Sequence, residues 1–384
     1  MYIETINVYV LRSDRLCEPF GYSQMWYDDR GSCVVQVITN EGIEGWGEAF
    51  GPAELNAAVI EKGLAPMILG SDPFDVEVIW QSLYNRYRDY GQKGIIICGM
   101  SALDIALWDI MGKAVDLPVC RLLGGVFRRE FPAYATGLYF SPDFSLNKLI
   151  KEAQGYLDAG FRSIKMKIGY HPREDIQFVQ AVREAIGYDC QLMVDANHAY
   201  NAQTAIELGR RLEEYQVSWF EEPVPPEDIE GYIEVKHALD MAVAGGEGEY
   251  TRYGFKNLIC RRAVDIVQPD TCCAGGLTEA RKLVTLANTH GIQYNPHVWG
   301  TGIALYCGMH LIASIPDNPP SINPLPPMLE YDQTPNPLRE NITMELPEVN
   351  KGLVSVPLDR AGLGITIDQE ALARYAVAKS VVKA

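Results

Sequence analysis

Residues 163–169 read SIKMKIG, 192–197 LMVDAN, 217–223 VSWFEEP and 241–247 MAVAGGE, each a short apolar run that stops at a polar side chain. The rhythm continues through VDIVQPD (264–270), IQYNPH (292–297) and PPMLEY (326–331), and PAYATG (132–137) precedes it. Stretches of helical polar–apolar period lie between the runs. Short β-rich runs alternating with helices argue for parallel strands joined by crossover helices. Eight runs match the strand number of a (β/α) barrel. The last connection, DNPPSINPLPPM (317–328), is Pro-rich and reads as lacking a full helix.

Outward from the barrel, the first third reads as α+β. A strand near 3–10 precedes CVVQVITNEGIEGWGEA (33–49), two β-rich runs around Asn40-Glu41-Gly42 that signal a hairpin. Helical periodicity covers 73–89 and 99–114, and Gly124-Gly125 punctuates the exit. Beyond Glu330 the chain is loop-rich, and its tail is expected to pack back on the first domain. The division read from these patterns is 1–128 for a capping domain, 129–350 for the barrel and 351–384 for the returning segment.

The bulk numbers narrow the partners. A chain of 384 residues, 47% hydrophobic and 22% charged, has the balance of a globular protein with a large core. A net charge of −17 argues against nucleic acid or an anionic membrane, both of which reward clustered Lys and Arg. The start, MYIETINVYVLRSD, has no basic n-region or long apolar h-region, and no apolar run is read as approaching the roughly 18 residues of a membrane span. Nine cysteines without a C-x-x-C pair read as reduced thiols of a cytoplasmic protein.

Seven successive runs end in Lys167, Asp195, Glu221, Glu247, Asp270, His297 and Glu330. In a (β/α) barrel those ends converge on the face that carries the chemistry. Any one of them could cap a helix or pair with Lys or Arg. Seven in a row crowd one mouth, where like charges repel. Asp195, Glu221 and Glu247 on adjacent units therefore call for a cation, and an all-oxygen set favours Mg²⁺, with Mn²⁺ as the alternative, over zinc. Alternation sends Lys165 and Lys167 to the same interior face. A buried lysine beside a divalent cation is expected to have a lowered pKa, which suits a general base. His297, one unit after Asp270, is a second base or an acid whose tautomer Asp270 holds.

These residues together, Lys165-x-Lys167, Asp195 with Asn197, Glu221 in WFEEP, Glu247 in AGGE, Asp270 in QPD, His297 in PHVWGTG and Glu330 in LEYD, resemble the enolase superfamily and its mandelate racemase subgroup. The likeness extends to GWGEA and SALDIALWDIMGK near the N-terminus. It implies an α/β fold, a modified TIM barrel (β/α)7β with an N-terminal α+β capping domain. It implies metal ligation by Asp195, Glu221 and Glu247, with Asn197 and Glu222 supporting. Lys167 is then the base on one face of the substrate, Lys165 lies near its carboxylate, His297 with Asp270 holds the other face, and Glu330 donates a hydrogen bond to a carboxylate oxygen. The implied chemistry is abstraction of the proton next to a carboxylate, with Mg²⁺ stabilising the enolate.

GPAELNAAV, LYNRYRDYGQKG and NPLRE look most like galactaro-lactone cycloisomerases. The expected substrate is a small carboxylate, an acid sugar or its lactone, and the expected outcome is dehydration, with cycloisomerisation or racemisation served by the same residues. A dimer or octamer follows from the resemblance. Specificity is expected from the loop 18–31, through Trp26, Tyr27 and Arg30. A non-catalytic protein on this fold would show erosion of the ladder, and none is visible. A phosphate-dependent enzyme would want glycines after strands 7 and 8, where this chain has prolines. His171, His237, His290 and His310 read as structural or surface residues, His198 as a lesser candidate for the pocket, and Cys272-Cys273 as packing.

Overall fold

The protein is described by a computed structural model covering residues 1–317 and 319–384. Its N-terminal strands are β1 (Ile3–Arg12), β2 (Phe20–Gly21), β3 (Trp26–Tyr27), β4 (Gly31–Thr39) and β5 (Glu44–Ala49). The barrel strands follow: β6 (Glu130–Gly137), β7 (Ser163–Lys167), β8 (Gln191–Asp195), β9 (Val217–Glu221), β10 (Ala242–Gly245), β11 (Ile266–Val267), β12 (Gln293–Tyr294) and β13 (Leu329–Asp332). Two more, β14 (Leu353–Ser355) and β15 (Ala376–Lys383), lie in the C-terminal stretch.

The hairpin β4–β5 forms as the turn sequence indicates, with Gly42 at φ 79°. The N-terminal sheet runs β15-β1-β4-β5, so the chain's end adds an antiparallel edge strand to its beginning. The helix Ile95–Ala114 lies against β5. The glycines of GWG explain how closely. A Cβ on Gly45 would stand 2.0 Å from the Ala106 carbonyl oxygen, and one on Gly47 would stand 1.9 Å from that of Ala102. Asp109 of the same helix accepts the Trp46 N–H at 3.0 Å. This helix corrects the reading of apolar runs: at 20 residues and a mean hydropathy of 1.7 it is long and apolar enough to cross a membrane by length and composition. It is 89% buried inside the fold, packed on the sheet and on the barrel helix Gly276–Thr289.

The barrel sheet runs β12-β11-β10-β9-β8-β7-β6-β13, and every neighbouring pair on this path is parallel. Side chains bridge the seam between β12 and β13. Asn295 Oδ1 accepts the Met328 N–H at 3.1 Å, and Glu330 Oε2 accepts that of Val298 at 3.1 Å. The last connection differs from expectation, because the helix Gly302–Ser314 fills it before the Pro-rich stretch begins, within which Asn318 lies outside the described residues. That helix is buried on every side, with only Ser314 not fully enclosed, so it carries no polar–apolar period to read. Tyr134, Met193, Trp219, Ala244, Ile266 and Met328 pack into a separate cluster inside the barrel and form the floor beneath its mouth.

His310 sits in the buried helix Gly302–Ser314 and is structural. Its Nδ1 accepts the Cys120 N–H at 3.3 Å, which leaves Nε2 to donate to the Leu363 carbonyl at 3.0 Å. Burial pushes its pKa down to about 4. A base whose folded pKa lies below its unfolded value contributes stability that is complete above the unfolded pKa and is lost as pH falls towards the folded one. Between pH 6.5 and 4 the protein should lose roughly 3 kcal/mol through this group. Urea denaturation at a series of pH values should therefore show a shallower acid dependence for His310→Gln than for the unaltered chain.

Candidate active site

Register places the polar strand ends side by side. Lys167 pairs with Asp195 across β7–β8, Asp195 pairs with Glu221 across β8–β9, and Asp270 bridges His297 in the next turns of the barrel. Alternation turns Lys165 inward as well, above the floor, with its ammonium 5.6 Å from the Tyr134 ring centroid.

Lys165 Nζ lies 2.5 Å from Glu221, 2.8 Å from Glu330 and 3.7 Å from Asp195. Lys167 Nζ donates to Asp195 and, at 2.8 Å, to Asn197 Oδ1. Glu221 also accepts from Trp219 Nε1 at 3.0 Å and Gln268 Nε2 at 2.7 Å. Asn197 and Glu222 both adopt left-handed backbone, at φ 42° and 44°. That geometry brings the Asn197 amide to 3.4 Å from Glu247 and 3.5 Å from Glu222. Strained non-glycine residues of this kind cluster where a site holds its parts in place.

On the other side His297 Nδ1 meets Asp270 Oδ2 at 2.7 Å, so its Nε2 faces inward, 3.4 Å from Glu247 and 4.0 Å from Glu330. Burial disfavours the imidazolium, but Glu247, Glu330 and Asp270 outweigh it and raise its pKa to about 10. Both lysines are also raised well above the usual value, since their carboxylates outweigh burial. The expectation of a lowered lysine pKa fails in the free chain for that reason. Glu330 differs too. Burial would raise it, yet Lys165 and His297 hold it down to about 2, and it accepts from Thr136 at 2.6 Å as well as from Lys165 and Val298. An ionised carboxylate has no proton to donate, so Glu330 acts as an acceptor.

Asp195, Glu221 and Glu247 offer one oxygen each, all within 4.8 Å of one another. Glu247 Oε2 is buried without a hydrogen-bond partner. Three hard oxygens gathered this closely fit a hard divalent cation, Mg²⁺ or Mn²⁺.

A cavity of about 430 Å³ opens beside Glu247. Its wall includes an aromatic arc. Tyr22 stacks on Tyr27 at 6.1 Å, Tyr27 meets Trp299 at 5.0 Å, Trp299 meets Phe50 at 6.3 Å, and Phe50 stands perpendicular to His297 at 5.7 Å. Tyr22 and Tyr139 also face the Lys167 ammonium, at 5.7 and 5.1 Å. Of the specificity candidates, Tyr27 lines this cavity, whereas Trp26 lies outside it and is 53% exposed. Arg30 lines it but is buried, bonded to Thr334 and Asp332 and stacked 3.9 Å over Trp299, so it holds the wall together. His198 lies beside Glu222, at 3.3 Å, and outside the cavity lining.

The ten inward residues read from sequence all gather at the mouth. Sequence reading passed over Tyr22, Tyr139, Phe50, Trp299, Gln268 and Glu48. Gln268 carried a usable signal, two places after the inward Ile266 and two before Asp270. Glu48 did not. Its buried carboxylate accepts from Ser32, Thr301 and Ala304 and caps the helix Gly302–Ser314 from the other domain. Burial drives the Glu48 pKa up and those bonds oppose the rise.

Residues 5–124 match the family model of the mandelate racemase / muconate lactonizing enzyme N-terminal domain, and residues 148–371 match that of the enolase C-terminal domain-like family. The chain is 40% identical over 376 residues to D-galactarolactone cycloisomerase of Agrobacterium fabrum, covering 98% of this chain and 99% of that one. It is 37% identical to arabinonate dehydratase of Saccharolobus solfataricus, over 89% of this chain and 90% of the relative. Its structure superposes on L-talarate/galactarate dehydratase of Salmonella typhimurium, solved with Mg and L-lyxarohydroxamate, with a TM-score of 0.88 at 30% identity over 100% of this chain and 94% of that one.

Gln268 aims its amide at the Glu221 carboxylate, the kind of outer contact whose loss weakens a metal site by about 10- to 100-fold. Titration with Mn²⁺ should show such a loss for Gln268→Met, and a larger one for Glu221→Gln, with the folded circular-dichroism signal retained in both.

Proposed function

We propose that this chain, which belongs to the mandelate racemase / muconate lactonizing enzyme family of the enolase superfamily, removes the proton next to the carboxylate of an acid sugar and expels the β-oxygen, a dehydration. One observation carries the reading. Lys167 and His297 touch opposite ends of one three-carboxylate cluster, Lys167 at Asp195 and His297 at Glu247. A carbon held over that cluster has a nitrogen on each side.

Magnesium is the cofactor; Asp195, Glu221 and Glu247 would hold it, and it would supply positive charge for the substrate carboxylate and for the charge that develops on its oxygens. Lys165, bridging Glu221 and Glu330, places a second positive charge at the same end. Lys167 would take the α-proton at Nζ in its neutral form, which a cation competing for Asp195 would favour. His297, with Asp270 on Nδ1 and Glu330 near Nε2, gives its Nε2 proton to the departing oxygen. Asp270 keeps the other nitrogen occupied, so that only Nε2 is available. Asn197 and Glu222 support Lys167 and Glu247.

A second reading, in which the departing oxygen belongs to a ring, has specific support in the 40% identity, over 98% of this chain, to a lactone cycloisomerase. Tyr27 and the loop 18–31 that carries Trp26 and Arg30 would set which sugar is taken. The resemblance favours a homodimer or octamer, and nine free cysteines favour a reducing cytoplasm.

The roles are separable with Mg²⁺ in D₂O, followed by NMR and a keto-acid assay on D-galactarolactone, arabinonate and galactarate. Lys167→Ala should abolish α-proton exchange. His297→Asn should cut turnover by about 10² to 10⁴ while exchange continues. The reverse pattern makes His297 the base, inversion without keto acid makes the enzyme a racemase, and near-native turnover in both variants removes both residues from catalysis.

A further inference from the structure

Resting on that reading of the His297–Asp270 pair, we infer that Phe50, contributed by the capping hairpin, is a positioning residue for His297. A single hydrogen bond from Nδ1 to Asp270 fixes one end of the imidazole but leaves the ring free to swing about that bond, so the direction of Nε2 needs a second contact. Phe50 supplies it: its ring lies perpendicular to the imidazole, at 88° with centroids 5.7 Å apart.

The same residue is tied to the other half of the pair. Its backbone N–H donates to the Cys272 carbonyl at 3.0 Å, and the Cys272 N–H donates to Asp270 Oδ1 at 2.6 Å. Phe50, Cys272, Asp270 and His297 thus form a closed circuit of contacts that starts and ends on one capping residue. Asn56 Nδ2 donates to the Phe50 carbonyl at 2.8 Å and anchors the hairpin end of the circuit, and Trp299, 6.3 Å away, backs the ring. The packing of the capping domain on the barrel therefore reaches the imidazole plane on the His297 side through Phe50. The Lys167 side is framed separately by Tyr22 and Tyr139.

The test compares the unaltered enzyme, Phe50→Leu, Phe50→Tyr and His297→Asn, with the same three sugar acids, Mg²⁺ and D₂O, reading α-proton exchange and turnover in parallel. Perpendicular aromatic contacts are worth enough to shift a rate by about 10-fold. Phe50→Leu stays apolar and loses the ring. It should slow by about 10-fold whichever step His297→Asn abolishes, and leave the other step and the Mn²⁺ affinity unchanged. Phe50→Tyr, which keeps the ring, should restore the rate. Equal loss of exchange and turnover in Phe50→Leu, or loss of neither, overturns the inference while the reading of His297 stands. Unimpaired exchange and turnover in His297→Asn overturns the reading and the inference together.

Discussion

The structure depends on how six carboxylates share one water-poor barrel mouth. Asp195, Glu221, Glu222, Asp270 and Glu330 are buried and Glu247 nearly so, against the two ammonium groups of Lys165 and Lys167 and the imidazole of His297. Burying charge without compensation is costly, and the cost appears where compensation runs out. Burial opposes ionisation at both Asp195 and Glu330, yet the lysines beside them hold each at about 2. Burial lifts Glu221 to about 7, with Lys165 only partly opposing, and lifts Glu222 well above the usual range, with Glu247 adding to it. The mouth is thus short of positive charge around Glu221, Glu222 and Glu247, and Glu221 and Glu247 are two of the three residues that can hold a divalent cation.

The barrel makes this arrangement by register. Parallel strands of matched length bring Lys167, Asp195 and Glu221 into one row, so a shift of one residue in any strand would turn its charged end away from the others. Beneath that row Tyr134 and Trp219 close the floor, with Trp219 also bonding Glu221. Above it, the two domains are joined by polar clasps between distant segments. Glu48 caps a barrel helix, Arg30 fastens the loop 18–31 to β13 through Asp332, and Ser23 donates to the Ala196 carbonyl beside Asp195. These clasps fasten the cavity wall to the strand ends across the two domains.

Much of this was legible in the sequence because it obeys short periods. Strand alternation foretold the inward pair Lys165 and Lys167, and the repeated apolar run ending in a polar residue foretold the row at the mouth. Asn40-Glu41-Gly42 announced the hairpin turn, whereas the close helix approach at Gly45 and Gly47 appears only in the structure. What was not legible lacks a local period. The helix Gly302–Ser314 is apolar on all sides and so has no face to detect. The clasp from Glu48 to Thr301 spans two domains. The ionised state of Glu330 follows from Lys165 lying 2.8 Å away, which no spacing along the chain reveals. Trp26 and Arg30 were read as specificity residues from loop composition alone. The fold turns one outward and locks the other between Asp332 and Trp299.

The central claim is that the charge deficit at the mouth is a site for one divalent cation. Anomalous diffraction from crystals grown with Mn²⁺ tests it most directly. The account predicts a single strong peak about 2.1 Å from an oxygen of each of Asp195, Glu221 and Glu247. A peak held by other residues, or none at the mouth under saturating Mn²⁺, would contradict it.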